Sequence, residues 1–491
     1  MRQLHDLIKE IKQPELIEAM DNPIIEGLVD HSRKVKKGDL FIAVQGYEAD
    51  GHQFIQDAID RGAVAVIGEK NLTGFDVPYI KVDNSRHILG ELAKVFYDYP
   101  FEDKLVIGVT GTNGKTTTSH MLHHLLVESS FQVGLIGTVK CVINGQTFTQ
   151  KQTTPSVLDL YQHVYDSQDD IMVIEVSSHA LDQNRLAGVT FDYAIFTNLS
   201  YEHLDYHSDM WAYFEAKRQL FLQLKPYGQA LINIDDDWGK QLYEWLESHQ
   251  YHVKRIGQTS DADVRLMDMG CNEGCNMTLK IQGDSFSIHS PQLGLYNLYN
   301  LALAFSVAYD LVEHPQLLVK KVKTFSGVPG RFDLLEMNNG VQVVVDYAHT
   351  PDAIKEVLKT VDIITSEKIT HILSFKANRD EGKRDAMVKH SSEHSDHIIL
   401  TQGDLDGFDS LEMEKELKDL RQQWYSNDID VNVDRINAIY ECIEQAKAGD
   451  CVVITGQGHK VYEDDNKWGT TTDRETVQYV NQLLATELSK E

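Results

Sequence analysis

The sequence predicts an α/β protein of three domains with mostly parallel sheets. From residue 101 onward, short apolar runs alternate with segments of helical periodicity, a pattern typical of parallel strands joined by crossover helices. The chain breaks at Pro100 and again at a turn cluster, Ser-Gly-Val-Pro-Gly, over residues 326–330. A length of 491 residues also favours about three domains. We therefore predict domains at 1–100, 101–330 and 331–491.

The first predicted domain is a small α/β unit, with strands at 39–44 and 63–67 and a helix at 53–61 between them. The strands predicted in the middle domain are 105–109, 171–176, 193–197 and 230–234, and its helices include 115–129 and 210–224. The strands predicted in the last domain are 341–346, 370–375, 397–401 and 451–454.

Composition restricts the partners and the compartment. A formal net charge of −29 excludes a nucleic-acid partner, because an acidic surface repels a polyanion. The N-terminal stretch is polar and no segment approaches the roughly 18 apolar residues of a membrane span, so we expect a cytoplasmic protein without membrane insertion. Five scattered cysteines suit a reducing compartment. Cys271 and Cys275 suggest either half of a metal site or, as we expect, two reduced loop thiols.

The clearest functional motif is a glycine-rich loop. Residues 108–118 read Gly-Val-Thr-Gly-Thr-Asn-Gly-Lys-Thr-Thr-Thr, directly after a predicted buried strand. Glycines let backbone N–H groups converge on phosphate oxygens, Lys115 adds a positive charge, and the Thr116 hydroxyl can reach Mg²⁺. Val109 stands where the usual phosphate-loop pattern has its first glycine, so the loop is a variant. An ordinary glycine-rich turn is the alternative, but the strand, loop and helix context favours a nucleoside triphosphate site.

Three more residues of the middle domain are candidate ligands for the metal ion that accompanies a triphosphate. Glu175 ends a buried strand, where a carboxylate is costly unless it meets Mg²⁺ or forms a salt bridge. His203 stands in a polar loop after another predicted strand, although most of the 21 histidines must be ordinary. Lys217 lies on an amphipathic helix, and the helical pattern alone predicts a solvated lysine.

The order of the motifs resembles the Mur ligases, the ATP-dependent amino-acid ligases of peptidoglycan synthesis, and above all their tripeptide-synthetase type, MurE. Besides the phosphate loop, the matching residues are 32–33, 38–41, 49–52, 153–155, 175–181, 197–200, 203–207, 216–217, 297, 300, 329–331, 346–352, 379–380, 382–384 and 456–459. So many motifs in one order, over nearly the whole chain, make a chance match negligible.

This resemblance implies three α/β domains: one that holds the UDP part of the substrate, a central ATPase with a mostly parallel sheet, and a C-terminal Rossmann-like domain. It also implies that ATP phosphorylates a substrate carboxylate and that an amine attacks the acyl phosphate, which gives an amide, phosphate and ADP. The implied substrates are UDP-N-acetylmuramoyl-L-alanyl-D-glutamate and an L-amino acid. The implied cofactors are ATP and two Mg²⁺ ions, and we expect a monomer.

The resemblance further implies the roles of individual residues. The implied catalytic residues are Lys115, Glu175, His203 and Lys217. The implied metal ligands are Thr116, Glu175, His203 and Lys217, the lysine being carbamylated so that it offers an anionic oxygen. ATP is bound by Gly111, Thr112, Asn113, Gly114, Lys115, Thr116, Thr117, Asn297, Asn300, Arg331 and Asp346. The UDP-substrate is bound by Ser32, Thr153, Thr154, Ser177, Gln183 and Arg185. The amino acid is bound by Arg379, Asp404, Asp406, Gly456 and Lys460.

The sequence departs from the diaminopimelate-adding ligases in the residues implied to select the amino acid. Those ligases carry Asp-Asn-Pro-Arg where this chain has Gly403-Asp-Leu-Asp406, so an arginine has become Asp406. A glutamate of the family has become Lys460, a glycine-rich stretch is replaced by residues 374–378, and Arg379 is retained. The charge reversals predict that meso-diaminopimelate is a poor substrate and make L-lysine the leading candidate. Drift in these loops is the alternative.

Two other functions stay open. One is another Mur-type ligase, such as a folylpolyglutamate or poly-γ-glutamate synthetase, which residues 32–33 and 50–52 disfavour because they match the UDP-substrate domain. The other is a nucleotide-binding protein that has lost ligation, and the altered amino-acid pocket is its only support. The retained Lys115, Glu175, His203 and Lys217 argue against it.

Overall fold

The computed structural model describes residues 1–10, 21–46, 49–377, 381–405, 407–424, 428–462 and 466–488. The α-helices are α1 Leu4–Glu10, α2 Ile55–Asp60, α3 Ser85–Phe96, α4 Lys115–Val127, α5 Val157–Tyr165, α6 Ser178–Asp182, α7 Met210–Leu222, α8 Asp237–Ser248, α9 Leu295–Leu311, α10 Leu318–Val322, α11 Pro351–Ile364, α12 Arg384–His394, α13 Ser410–Gln423, α14 Arg435–Gln445 and α15 Asp473–Leu488. In the described part of the chain, no helix has the length and apolar character needed to cross a membrane.

The strands are β1 Arg2–Gln3, β2 Ile24–Ile25, β3 Gly27–Val29, β4 Asp39–Ile42, β5 Ala65–Gly68, β6 Tyr79–Lys81, β7 Leu105–Thr110, β8 Val133–Ile136, β9 Cys141–Ile143, β10 Gln146–Phe148, β11 Ile171–Glu175, β12 Phe191–Phe196, β13 Leu224–Asn233, β14 His252–Gly257, β15 Val264–Asn272, β16 Gly274–Ile281, β17 Asp284–Ser290, β18 Asp333–Glu336, β19 Gln342–Val345, β20 Ile369–Phe375, β21 His397–Gln402, β22 Ile429–Val431 and β23 Cys451–Ile454. Short 3-10 helices lie at Ser32–Lys34, Gly51–Phe54, Pro315–Leu317 and Glu381–Lys383. Each strand and helix predicted above has a counterpart among these elements. The ends agree within two residues, except that the strand predicted at 230–234 begins earlier, as β13 Leu224–Asn233.

The chain divides into two compact units. The first unit contains Met1–Thr110, Ser130–Ile195 and Ala216–Ala230. The second contains Gly111–Ser129, Phe196–Glu215 and Leu231–Glu491.

The N-terminal part of the first unit is a four-stranded parallel sheet in the order β3-β4-β5-β6. Strands β4 and β5 are buried along their whole length, which is typical of central strands in a parallel sheet. The helix predicted at 53–61 begins as the 3-10 turn Gly51–Phe54, because the Asp50 carboxylate accepts the His52 N–H and caps that turn.

A second sheet in the first unit includes the order β10-β9-β8-β11-β7. Its central strands β8, β11 and β7 are parallel, and β9 and β10 continue it as an antiparallel edge. Glu175 is the last residue of β11 and is paired in register with Val109 of β7. The carboxyl end of β11 therefore presents Glu175 at the edge where ligands gather in such sheets.

The C-terminal part of the second unit is a six-stranded sheet in the order β18-β19-β23-β20-β21-β22. All neighbouring strands are parallel except β18, which runs antiparallel to β19. Apolar clusters form on this sheet from β-strand residues and the helices beside it. Helix α11 begins with Pro351 at its first position, and the Thr350 hydroxyl accepts the Ala353 N–H, so its start follows ordinary capping chemistry.

Three antiparallel strands in the second unit, β15 to β17, were not predicted. Buried and exposed residues alternate along β16 and β17, so each strand shows only a weak apolar signal. The hairpin between β15 and β16 pairs Cys271 with Cys275 across the strands, and the two form a disulfide. The expectation of two reduced thiols was therefore wrong, because the hairpin brings residues four apart in sequence face to face.

One buried histidine predicts how stability depends on pH. His371 on β20 is fully buried between the Ser391 and Thr455 hydroxyls, and burial lowers its pKa to about 3. In the unfolded chain it protonates near its ordinary pKa of about 6.5. Stability is therefore complete above pH 6.5 and falls with decreasing pH, by about 2 kcal/mol at pH 5. Urea unfolding should show that the free energy of unfolding changes less between pH 7.5 and pH 5 in His371→Gln than in the wild type, by that amount. The exposed His314→Gln is the matched control, and an equal pH effect in both variants would contradict the prediction.

Candidate active site

The phosphate loop lies at the start of α4 in the second unit. Gly111 and Gly114 have φ of 145° and 85°, a region that favours glycine. A Cβ on Gly111 would collide with the Thr197 hydroxyl, and one on Gly114 would collide with the Asn300 amide. Both conformation and space therefore explain the glycines.

Residues 197–198 hold the loop from the side. The Thr197 hydroxyl and the Asn198 amide donate to the Asn113 carbonyl at 2.6 and 3.2 Å. The Asn113 N–H donates to Asn198 Oδ1 at 2.9 Å, and the Thr112 N–H donates to the Asn198 carbonyl at 2.9 Å. The motif at 197–200 thus shapes the loop, a role that sequence reasoning did not assign to it.

Lys115 and Thr116 have protein partners within the loop region. Lys115 Nζ donates to the carbonyls of Gly111 and Thr112, both at 2.9 Å. The Thr116 hydroxyl accepts a hydrogen bond from Arg331 at 3.2 Å. Arg331 also lies over the ring of Tyr347, with 4.5 Å between the guanidinium carbon and the ring centroid. The predicted Arg331 and the phosphate loop are therefore in direct contact.

A cavity of about 510 Å³ opens beside the loop and lies wholly in the second unit. The predicted ATP-binding residues that line it are Asn113, Gly114, Thr117, Asn297, Asn300, Arg331 and Asp346. Asn300 Oδ1 accepts the Thr118 hydroxyl at 3.2 Å, and the Asn300 amide donates to Asn297 at 3.0 Å. These asparagines connect the loop to the cavity wall.

Two of the acidic residues that line this cavity accept hydrogen bonds from backbone N–H groups or from a neighbouring tyrosine. Asp346 accepts the N–H groups of Phe332 and Ala348, both at 2.6 Å, and burial raises its pKa. Asp235 accepts the Tyr299 hydroxyl at 2.7 Å. Asp346 therefore also holds the chain around residues 332–348 in place.

In the first unit, Glu175 belongs to a hydrogen-bonded network. The glutamate is fully buried, and its two oxygens accept the Thr138 N–H at 3.1 Å and the Thr138 hydroxyl at 2.8 Å. The Thr138 hydroxyl also lies 3.0 Å from the Thr153 hydroxyl. Thr138 orients Glu175, and no sequence signal pointed to it.

The residues predicted to bind the UDP-substrate extend this network. The Thr154 hydroxyl donates to the Glu175 carbonyl at 2.7 Å and accepts the Ser177 N–H at 3.1 Å. Arg185 donates to the Thr154 carbonyl at 3.0 Å and to Gln183 Oε1 at 2.7 Å. Ser32 is buried at the start of a 3-10 helix beside the N-terminal sheet. Hydrogen bonds therefore connect five of the six residues to the Glu175 network, and Ser32 lies in the N-terminal sheet region.

Lys217 is only 1% exposed. The surface position that its helical pattern predicts is therefore wrong. A buried ammonium is costly unless it is neutralised or paired, so its environment favours a chemical or electrostatic role.

A second cavity in the second unit, of about 110 Å³, lies at the carboxyl end of β20. His203 and the predicted Gly456 line it, together with Glu202, Lys376 and Lys383. Lys383 donates to both oxygens of Glu202 at 3.0 and 3.1 Å. His203 has φ of 60° and its Nδ1 lies 3.9 Å from Glu202. Lys383 belongs to the matching stretch 382–384 and Glu202 lies just before the stretch 203–207, but no role had been inferred for either residue.

The predicted amino-acid-binding residues are only partly described. Arg379 and Asp406 lie outside the described residues. Asp404 accepts Lys460 Nζ at 2.6 Å and the Gln457 amide at 2.7 Å, and these bonds hold the Asp404 pKa below its ordinary value although burial opposes this. Gly456 has φ of 100°, and a Cβ there would collide with the Ser374 hydroxyl. Asp404, Gly456 and Lys460 thus lie together.

Tyr347 and two histidines have altered pKa values near this second cavity. Burial raises the pKa of Tyr347, but Lys376, Lys460 and Arg331 together bring it below the ordinary value. Burial, with Lys383 and Lys376 nearby, holds the pKa of His349 well below its usual range. Burial lowers that of His459 to about 3. Both histidines are therefore neutral at pH 7.

The donor chemistry fits a magnesium ion carried by a triphosphate. Among the described residues, no three His, Cys, Asp or Glu side chains cluster closely enough to hold a metal ion. Mg²⁺ is usually bound by one or two protein oxygens, with phosphate and water supplying the rest. Each unit, taken by itself, offers one oxygen donor of that kind: the Thr116 hydroxyl at the start of α4 in the second unit and the buried Glu175 carboxylate in the first.

Three family models match the chain. They are described as "Mur ligase family, catalytic domain" for residues 25–97, "Mur ligase middle domain" for 109–308 and "Mur ligase, glutamate ligase domain" for 330–458. These matches confirm the α/β fold of three domains, and the finer boundaries at 1–100, 101–330 and 331–491 stay a prediction.

Individual relatives and solved structures point to the same family as the three models. The chain is 34% identical to UDP-N-acetylmuramoyl-L-alanyl-D-glutamate--2,6-diaminopimelate ligase of Bacillus cereus, over 94% of both chains. It is 36% identical to the ligase of the same name from Clostridioides difficile, over 88% of this chain and 90% of the relative. A solved structure of a ligase of this name is similar with a TM-score of 0.70 and 30% identity, over 99% of both chains. A Thermotoga maritima MurF ligase in complex with ADP shares the fold, with a TM-score of 0.64 and 22% identity over 94% and 98% of the chains. The chain belongs to the Mur ligase family and is an ATP-dependent amide ligase.

Proposed function

We propose that this ligase joins an amino acid to UDP-N-acetylmuramoyl-L-alanyl-D-glutamate during peptidoglycan synthesis, in the cytoplasm and as a monomer. Support comes from the relatives named for this UDP-substrate, at 34–36% identity over most of the chain. The observation that carries the proposal is the match of residues 25–97 to the family's N-terminal domain, since the UDP motifs at 32–33 and 50–52 lie in it.

The proposed reaction has two steps. A carboxylate oxygen of the UDP-substrate attacks the γ-phosphorus of ATP, ADP leaves, and an acyl phosphate forms. The amine nitrogen of the amino acid then attacks the acyl carbon, loses a proton, and phosphate leaves as the amide forms. Both steps bring anions together, so positioned positive charge lowers their barriers.

We assign the residues by family resemblance and by their local geometry. Lys115 and Arg331 stand at the phosphate loop, where they would bind phosphate oxygens in place of their present partners. Thr138 holds the Glu175 carboxylate in one orientation. Two Mg²⁺ ions, when bound, neutralise phosphate charge, and Thr116, Glu175, His203 and a carbamylated Lys217 are the proposed ligands. Thr153, Thr154, Ser177, Gln183 and Arg185, with Ser32, are proposed to bind the UDP-substrate.

Phosphate release tests this function. The purified protein, supplied with ATP and Mg²⁺, should release phosphate only when UDP-N-acetylmuramoyl-L-alanyl-D-glutamate and a suitable amino acid are both present. Omission of either substrate is the control. Mass spectrometry should show a product heavier than the UDP-substrate by one amino-acid residue. Phosphate release that does not depend on the UDP-substrate would contradict the proposal.

A further inference from the structure

The side chains around Tyr347 carry more positive than negative charge. Arg331 and Lys376 both lie over the Tyr347 ring, at 4.5 and 5.4 Å from its centroid. Lys460 also contributes to the positive potential at this phenol. Among the described residues, Asp404 is the carboxylate close to the two lysines: it lies 2.6 Å from Lys460 and 3.9 Å from Lys376.

Lys376 differs from the other cations that line the second cavity. Lys383 is paired with Glu202 at 3.0 Å, and Arg384 is paired with Glu416 at 2.8 Å. For Lys376, the carboxylate contact found in the described part of the chain is Asp404 at 3.9 Å, beyond hydrogen-bond distance.

Both carboxylate oxygens of Asp404 have closer partners than Lys376. One of its oxygens accepts Lys460 at 2.6 Å and the other accepts the Gln457 amide at 2.7 Å. The same bonds make Asp404 an unsuitable partner for the ammonium of a lysine substrate, while Asp406, the residue expected to attract that ammonium, lies outside the described residues. Asp404 already neutralises a cation of the protein itself.

Burial makes the charge of Lys376 costly. Its side chain is 17% exposed, and desolvation lowers its pKa. A buried cation is stabilised when an anion approaches it in a site of low dielectric constant. The cavity that it lines offers the space, because its volume of about 110 Å³ is well above the roughly 10–15 Å³ of the same measure that one water molecule needs. A short carboxylate side chain is only a few heavy atoms in size.

Given the ligase function proposed above, we propose that Lys376 binds a side-chain carboxylate of the incoming amino acid. The preferred substrates are then L-amino acids with an acidic side chain and no distal ammonium, which Lys376 and Lys460 would repel. This reverses the sequence-based expectation of lysine. Lys376 is thereby a residue that determines specificity.

The experiment compares acids with their isosteric amides. Initial rates of phosphate release are measured with the UDP-substrate, ATP, Mg²⁺ and either L-glutamate, L-glutamine, L-aspartate, L-asparagine, L-lysine or meso-diaminopimelate. We expect at least one acid to exceed its own amide, L-lysine and meso-diaminopimelate at least tenfold in kcat/KM. Lys376→Met should reduce the ratio of acid to amide to about one, whereas Lys376→Arg should keep part of it. The exposed Lys389→Met on α12 is the matched control and should leave the ratio unchanged.

Each outcome decides the proposal. Ligation of neutral or basic amino acids without preference for an acid overturns the inference and leaves the ligase function standing. No ligation with any amino acid overturns both. A Lys376→Met variant that slows all amino acids equally and raises the KM for ATP shows that Lys376 contacts phosphate instead, which also overturns the inference. Retention of the Lys376→Met protein on a nucleotide affinity column distinguishes lost specificity from lost folding.

Discussion

Lys217→Ala should raise the free-energy barrier of ligation by several kcal/mol and so lower the rate on the order of a thousandfold. Short carboxylates added to the assay should restore part of the activity. Lys217 is 1% exposed, and a buried ammonium of this kind is costly. Carbamylation replaces the ammonium with an anionic oxygen that suits a metal ion. Alanine leaves a space at that position, which added acetate or formate can enter with an oxygen of the same charge. Steady-state phosphate release, with and without these anions, measures both effects.

The control for Lys217 is Lys240→Ala, an exposed lysine on α8, which should keep full activity and show no response to carboxylates. Nuclear magnetic resonance after incubation with ¹³C-bicarbonate should show a carbamate signal that is missing in Lys217→Ala. Full activity of Lys217→Ala without any additive would refute the assignment.

The second large effect is expected at the phosphate loop. Lys115→Ala removes a positive charge from the phosphates as they gain charge in the transition state, which typically costs about 3 kcal/mol or on the order of a hundredfold in rate. The loss should appear mainly in kcat, because the charge acts most strongly on the transition state. Single-turnover and steady-state rates with saturating ATP would separate this loss from weaker binding.

Lys115→Arg keeps the charge and should retain more activity than Lys115→Ala. Thermal unfolding of both variants, measured beside the wild type, separates a loss of catalysis from a loss of folding. A turnover number unchanged in Lys115→Ala would mean that the loop does not take part in the reaction.

The elements that sequence reasoning predicted well have local causes. Parallel strands such as β11 are continuous apolar runs, and the phosphate loop needs glycines at positions of positive φ. The strands β15 to β17 were missed because only one of their faces is buried. Their alternating residues resemble polar loop sequence.

The site was harder to predict where a role depends on contacts between distant segments. Thr138 is 37 residues before the Glu175 that it orients, and Lys383 is 181 residues after the Glu202 that it pairs with. Lys217 shows the same difficulty, because a helical pattern gives the face of a residue but not what packs on it. Asp404 pairs with Lys460 from 56 residues away. Of the two charge reversals, Asp406 and Lys460, the sequence could show the change at Lys460 but not that Asp404 is its partner.

The hydrogen bonds that Lys115 and Thr116 already make have a consequence for the nucleotide cycle. If Lys115 and Arg331 bind the phosphates as proposed, a triphosphate that enters the loop replaces the two carbonyl partners of Lys115 and the contact between Arg331 and Thr116. Binding is then an exchange of partners, and each exchanged bond adds only about 1 kcal/mol net. When the γ-phosphate has been transferred, ADP keeps fewer of the new bonds while the protein regains the old ones. The loop carbonyls and the Thr116 hydroxyl thus compete with phosphate for Lys115 and Arg331, which favours fast release of ADP.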